Sequence, residues 1–195
     1  IKMYKAGKEG REDIIYLMIL NGYDEFDEGL NGACEGGHID IAKIMMTNLG
    51  VGFLNEALKY ACRGGHLEIV NMLLDSGVCD YNYGLQGACE GGHLDLVKIM
   101  LEHGASEYTW GLKGACKGGH LELVNMMLEL GVTNYNWGLY GACKGGNLEL
   151  VKMMLELGAA NYNYGITIAC NNGHIEIVKL MLERGVTTTL YDACK

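Results

Sequence analysis

One segment of this chain returns at a fixed interval, and that repetition restricts the fold more than any other feature. The motif Gly-Ala-Cys-x-Gly-Gly-His occupies residues 32–38, 87–93 and 114–120, with looser copies at 60–66, 141–147 and 168–174. Measured between Cys34, Cys62, Cys89, Cys116, Cys143 and Cys170, the period is 28 once and then 27 four times. A period of this size belongs to stacked arrays, in which a single unit cannot bury its own apolar face and must lean on its neighbours.

Composition limits what such an array can do. Apolar residues make up 49% of the chain, enough for a continuous core, yet the longest apolar run is seven residues, 14–20. A membrane helix needs about 20, so no membrane partner is expected. The net charge of −9 argues against general binding to nucleic acid, because such affinity comes mainly from neutralising phosphates. No secretory leader is read in the first residues, and an opening Ile instead of Met leaves the native start open. Seven of the eight cysteines stand at equivalent places in successive units. Stacked helices lie about 8–10 Å apart, whereas bridged cysteines need Cα atoms within about 7 Å. The spacing therefore predicts a ladder of buried, reduced thiols and a reducing, intracellular, cytoplasmic compartment. Cys79 falls outside the ladder, where other units carry Ser106, Thr133 and Ala160.

The repeats run through the whole chain and predict a single array over 1–195. Residues 1–22 form a degenerate first unit. Full units follow at 23–50, 51–77, 78–104, 105–131, 132–158 and 159–185, and 186–195 is a partial last one. Each unit reads as helix, tight turn, helix, loop. The first helix is placed at about 111–117 and carries columns of Leu (Leu30, Leu58, Leu85, Leu112, Leu139, Ile166, Leu190), Ala and Cys. Gly118-Gly119 reverses the chain, His120 opens the second helix, and Gly131 ends it. In residues 94–103 only Asp95, Lys98 and Glu102 interrupt an apolar surface wider than one stripe. A second helix flanked by units on both sides would look like this, with the methionines as core filler.

Gly-His-Leu-Glu-Leu-Val-x-x-x-Leu-Glu-x-Gly at 119–131, preceded by Leu-x-Gly-Ala-Cys, resembles the ankyrin repeat pattern. Leu112, Ala115-Cys116, Gly119-His120 and Gly131-Val132 fall on its Leu, Ala pair, Gly-His and closing Gly-Ala. The resemblance implies an all-α, ankyrin-type helix-turn-helix solenoid. Two departures stand out. Aromatic-Gly pairs (Tyr83-Gly84, Trp110-Gly111, Trp137-Gly138, Tyr164-Gly165) replace Thr-Pro, and the period is six residues short of about 33. The deficit falls in the segment that forms β-hairpin fingers in the family. Compact loops are expected in their place, each holding an aromatic pair such as Tyr135 and Trp137 that closes the gap above Gly87, Gly114 and Gly141. Short repeats of this Gly-Ala-Cys type also resemble tandem ankyrin-like repeats of large DNA viruses, which implies host cytoplasm.

No residue set points to catalysis, a cofactor or a metal. The column His38, His66, His93, His120, Asn147, His174 cannot converge on one ion, and capping and bridging of the turn explains it. Cys116 and His120 resemble a nucleophile and base, but the pair repeats in other units without an oxyanion donor. The Gly-Gly turns lack the Lys-Ser/Thr of a phosphate cradle. What remains is surface. The position after the cysteine reads Glu35, Arg63, Glu90, Lys117, Lys144, Asn171, and the one before Gly-Ala-Cys reads Asn31, Gln86, Lys113, Tyr140. Variation inside a near-copied unit marks sites not fixed by packing, or a drifting solvated stripe.

The resemblance implies a groove lined by first helices that binds another protein. Lys113, Lys117, Tyr140 and Lys144 are the candidate contact residues, suited to an acidic, partly apolar peptide. Two other roles fit the same sequence. One is the adaptor arm of a larger protein. The other is a structural element that self-associates through its unfinished terminal unit.

Overall fold

The computed structural model describes residues 3–47, 49 and 51–184. The partial unit at 186–195, with Leu190, lies outside them. The described residues form fourteen α-helices and no strand. They are α1 (Met3–Lys8), α2 (Glu12–Leu20), α3 (Phe26–Gly36), α4 (Ile39–Met46), α5 (Leu54–Gly64), α6 (Leu67–Asp75), α7 (Tyr81–Gly91) and α8 (Leu94–Glu102), then α9 (Tyr108–Gly118), α10 (Leu121–Glu129), α11 (Tyr135–Gly145), α12 (Leu148–Glu156), α13 (Tyr162–Asn171) and α14 (Ile175–Glu183). Odd and even helices are the first and second helices of successive repeats. Two compact units result, Ile1–Ser106 and Glu107–Lys195. In the first, α1, α3, α5 and α7 stack in order. In the second, α9, α11 and α13 do so.

The tight turn shows why the repeat tolerates so little change. At the end of α5, Gly65 takes φ 79°, and His66 N–H reaches back to the Ala61 carbonyl at 3.1 Å. This satisfies a carbonyl that the helix end would leave bare. A Cβ on Gly64 would lie 2.5 Å from the Glu35 carbonyl oxygen, and one on Gly65 would lie 2.6 Å from the His93 ring. Gly64 and Gly65 therefore bring this repeat against the one before it and leave room for the histidine of the one after.

Of the two roles expected for that histidine, capping is not seen, since the His66 side chain makes no cap bond to its own helix. It bridges instead. His66 Nε2 donates to the Glu35 carbonyl at 3.0 Å. His38 reaches Lys8, His93 reaches Arg63 and His174 reaches Lys144, each at 3.2 Å. Asn147 supplies the same donor, its Nδ2 lying 2.9 Å from the Cys116 carbonyl and 3.1 Å from that of Lys117. A donor of the right length is all the position requires, which explains the single exchange of His for Asn.

The core is built from the columns read in the sequence. Leu30, Leu58, Leu85, Leu112 and Leu139 are buried, as are the Ala and Cys positions beside them. From each second helix come an aliphatic residue and a long one, such as Leu96 and Met100. The second helices are less enclosed than expected, since Leu67, Leu121 and Ile175 at their first positions are exposed. Methionine has a defined partner. Met45, Met100 and Met154 sulfurs lie where a Cβ on Gly29, Gly84 or Gly138 would go. In the repeat that has Leu73 instead, the facing residue is Ala57. The shorter Leu comes with the added methyl, so volume is conserved within the unit.

Two local expectations are corrected. The first helix begins three residues earlier than placed, at Tyr108 instead of 111. The aromatic pairs accordingly sit in its first turn, with Tyr135 and Trp137 opening α11. Nor do they fill a gap over Gly87 and Gly141. A Cβ there would run into the Lys59 and Lys113 carbonyls of the preceding first helix. The loops are compact because asparagines in these helices brace them. Asn136 Oδ1 accepts from Ala160 N and Asn161 N at 2.9 and 3.0 Å. Asn82 Oδ1 likewise accepts from Ser106 N at 2.9 Å.

The thiols of Cys34, Cys62, Cys89, Cys116 and Cys143 are buried and free, Cys170 is only half-buried, and Cys79 is exposed. Burial pushes Cys34, Cys89, Cys116 and Cys143 up to about 12 from the usual 9.0. Cys62 is displaced in the same direction.

Two outcomes are expected. Gly84→Ala should cost about 1–3 kcal/mol by overpacking against Met100, and Met100→Leu less than about 1.5 kcal/mol. The double variant, which recreates the Ala57–Leu73 pair, should recover at least about 1 kcal/mol relative to their sum. Strict additivity in chemical unfolding would disprove the pairing. For the thiols, alkylation of the native chain should modify Cys79 first, Cys170 next and the five buried positions only on unfolding. Their folded pKa is raised, so the stability they contribute is whole below pH 9.0 and declines as pH climbs toward about 12. The loss is at most about 1.4 kcal/mol per thiol per pH unit. A melting temperature flat across the alkaline range would contradict this.

Candidate functional site

Because first helices lie side by side, the variable positions on them come into register. The second unit brings together three of the four candidate residues. Lys113 is on α9, while Tyr140 and Lys144 are on α11. Lys113 Nζ lies 4.8 Å from the centre of the Trp137 ring and 5.0 Å from that of Tyr140. Lys144 Nζ lies 5.9 Å from the Tyr140 ring. Such cation–π contacts are worth about 0.5–1 kcal/mol where solvent reaches them. Lys117 lies one turn beyond Lys113 on α9 and is half-buried.

The aromatic part of the surface is larger than the sequence suggested. Tyr140 stacks on Tyr164 at 5.3 Å and meets Trp137 edge-on at 5.8 Å. Trp137 is 41% and Tyr164 52% exposed. Together with Asn134, Asn136 and Asn161 they enclose a recess of about 150 Å³, room for one inserted side chain. Trp137 and Tyr164 were assigned to loops from the sequence. Their signal was the recurring Tyr-Asn-aromatic-Gly at 135–138 and 162–165, which sets successive aromatics at one helical position.

The same column behaves differently in the first unit. Lys8, Glu35, Arg63 and Glu90 form an alternating ladder, with nitrogen–oxygen distances of 2.9, 2.6 and 3.2 Å. Tyr4 adds its hydroxyl, which donates to Glu35 and accepts from Arg63 at 3.2 Å. Arg63 also lies over the Tyr60 ring at 4.6 Å. Burial and the charge of Glu56 raise the Tyr60 hydroxyl above its ordinary pKa. These charges, expected to be unconstrained, are therefore tied to one another across repeats. Asn31 and Gln86, one turn earlier, are buried. The Asn31 side-chain oxygen has no hydrogen-bond partner, and an unmet buried acceptor costs about 1–3 kcal/mol.

The ring nitrogens of the bridging histidines face backbone carbonyls, and the buried thiols are held protonated. Among the described residues no group of three or more His, Cys, Asp or Glu is arranged to hold a metal ion, and no helix is long and apolar enough to cross a membrane.

Stacked helix-turn-helix units define a helical repeat protein. The ankyrin repeats (3 copies) family model matches residues 3–84 and 112–192, more than half of the chain, which therefore belongs to the ankyrin repeat family. The chain matches no curated protein. Ankyrin repeats generally mediate protein–protein interaction and typically have no catalytic role.

The ladder makes a direct prediction. Arg63→Met removes the cation shared by Glu35 and Glu90, which are 13% and 10% exposed. It should destabilise the chain by about 3 kcal/mol, the low end for a broken buried pair. Adding Glu35→Gln and Glu90→Gln should restore most of that. If the triple variant is as unstable as the single one, Arg63 acts through its packing on Tyr60 instead.

Proposed function

We propose that the protein is a non-catalytic binding module whose second unit captures an acidic, partly apolar peptide segment of another protein. Lys113, Lys117, Tyr140 and Lys144 are the contact residues, with Trp137 and Tyr164 as aromatic walls. The supporting observation is the recess beneath Tyr140, where an apolar side chain can enter between rings while lysines stand at its edge. Aromatic anchors often dominate interface energy, and the lysines act mainly on association rate, in a salt-dependent way. The period of 27 continues from Cys89 to Cys116, which supports the reading of residues 1–195 as one array. The unbridged thiols fit a reducing intracellular compartment.

The test uses the blocked peptide Asp-Glu-Phe-Glu-Asp and the fluorescence of the full chain. Binding should weaken with added salt. Combining Lys117→Glu, Lys144→Glu and Tyr140→Ala should weaken it at least tenfold, about 1.4 kcal/mol. Loss of the Tyr140–Tyr164 stack should itself lower stability by about 0.5–1.5 kcal/mol. Undiminished binding by a folded triple variant would move the contact elsewhere, first to the line of Asp95, Lys98 and Glu102.

A further inference from the structure

The exposed side of α2 breaks a pattern that the later second helices keep. From Ile14 to Leu20 the helix has no polar group besides the Tyr16 hydroxyl, and a helix apolar all round is ordinarily a buried one. Here Tyr16, Leu17 and Leu20 are 50%, 58% and 82% exposed, and Tyr23, just past the helix end, is 52% exposed. We propose that this face docks an amphipathic helix of a polypeptide partner, with lysine or arginine flanking the partner's apolar stripe.

The repeats themselves supply the reference. The Tyr23 N–H donates to the Met18 carbonyl at 3.1 Å, as Ala105 N–H does to Met100 and Ala159 N–H to Met154. This puts α2 in register with the later second helices. In that register Tyr16 stands where they carry Lys43, Asn71, Lys98, Asn125, Lys152 and Lys179. Leu20 stands where they carry Thr47, Asp75, Glu102, Glu129, Glu156 and Glu183. Tyr23 is exposed where Val78, Ala105, Val132 and Ala159 are buried.

The lack of a repeat ahead of α1 does not account for this. Lys43, Thr47, Asn71 and Asp75 belong to repeats with neighbours on both sides and are exposed all the same. A further repeat would cover part of Leu17, whose counterparts Ile44 and Met72 are half-buried. It would leave Tyr16 and Leu20 in solvent. Large apolar groups gathered on a solvent-facing surface mark an interaction site.

Geometry and charge select the occupant. Tyr16 and Leu20 are one turn apart with Leu17 beside them, on a helix of nine residues that spans about 14 Å. The backbone of α2 is hydrogen-bonded within the helix, so it offers no edge to an extended strand. A partner helix satisfies its own backbone and needs only the apolar contact. Glu12 lies one turn before Tyr16, and Asp24 and Glu25 directly follow Tyr23. All three are exposed and form no ion pair among the described residues. They attract a basic flank. The same acids would oppose one another in a face-to-face second copy, and they would be repelled by an anionic lipid surface.

This inference rests on the protein-binding reading but not on the basic surface of the second unit. The probe is a blocked peptide of two joined copies of Leu-Lys-Lys-Leu-Leu-Lys-Leu, titrated into the isotope-labelled full chain and followed by amide chemical shifts. Shifts should concentrate on α2 and Tyr23. A peptide of the same composition, reordered to break the stripe, should bind at least about tenfold more weakly. Tyr16→Lys with Leu20→Glu gives α2 the residues its columns carry elsewhere and leaves the net charge unchanged. That variant should keep its melting temperature and lose at least about tenfold in affinity. Asp24→Asn with Glu25→Gln should weaken binding and flatten its salt dependence. The variant of Lys117, Lys144 and Tyr140 should bind this peptide normally, so either surface can fail without the other. Equal binding of the reordered peptide, or by the Tyr16 and Leu20 variant, would overturn the proposal. So would a concentration-dependent dimer of the chain, or adsorption to phosphatidylserine vesicles, that the same variant abolishes, since the face would then belong to a second copy or to a membrane.

Discussion

The structure depends on one hydrogen bond made again at successive junctions. At the mouths of α4, α6, α8, α12 and α14 a side chain donates to a carbonyl at the end of the first helix of the preceding repeat. Helix ends leave several such carbonyls without partners, and here the next repeat satisfies one. The bond forms only because two glycines withdraw their side chains from the space it needs. Glycine inside a helix is unfavourable by about 0.5–1 kcal/mol relative to alanine, so local stability is given up for contact between repeats. This is why a single unit has little stability of its own and why the motif is copied so closely.

With the junction fixed, other parts of the unit are free to differ, but only in matched pairs. Ala57 with Leu73, against glycine with methionine elsewhere, is one such match within a repeat. Lys8, Glu35, Arg63 and Glu90 form another match, made between repeats. The first conserves volume and the second conserves charge balance. In the second unit the corresponding positions are Lys117, which is half-buried, and Lys144, which is exposed beside the Tyr140 ring. The place that is closed by ion pairs in the first unit is thus presented to solvent at Lys144.

The sequence made the columns legible because a fixed period exposes any residue that packing requires. Leu30, Leu58 and the buried cysteines needed only counting. The start of the first helix was misjudged because Tyr135-Asn136-Trp137-Gly138 has weak intrinsic helix preference. Stacking of Tyr140 on Tyr164, and the bracing of Ala160 and Asn161 by Asn136, override that preference. The ladder looked like drift because its partners lie a whole repeat apart, where each unit read alone shows one arbitrary charge. Lys113, Tyr140 and Lys144 were singled out through their variability. Trp137 and Tyr164, whose rings lie beside them, were read as loop residues because they recur, which made a surface feature look like a structural one.

The bridging bond ends on a backbone oxygen, an atom every amino acid supplies. The glycine–methionine match is likewise completed inside one repeat. A repeat can therefore be duplicated, deleted or moved as a cassette without a junction having to be redesigned. The charge ladder, by contrast, records the order in which cassettes stand, since exchanging two neighbours would set like charges side by side. Growth of such a chain by unequal copying meets its main resistance there, and it meets least where the ladder has given way to lysines and rings.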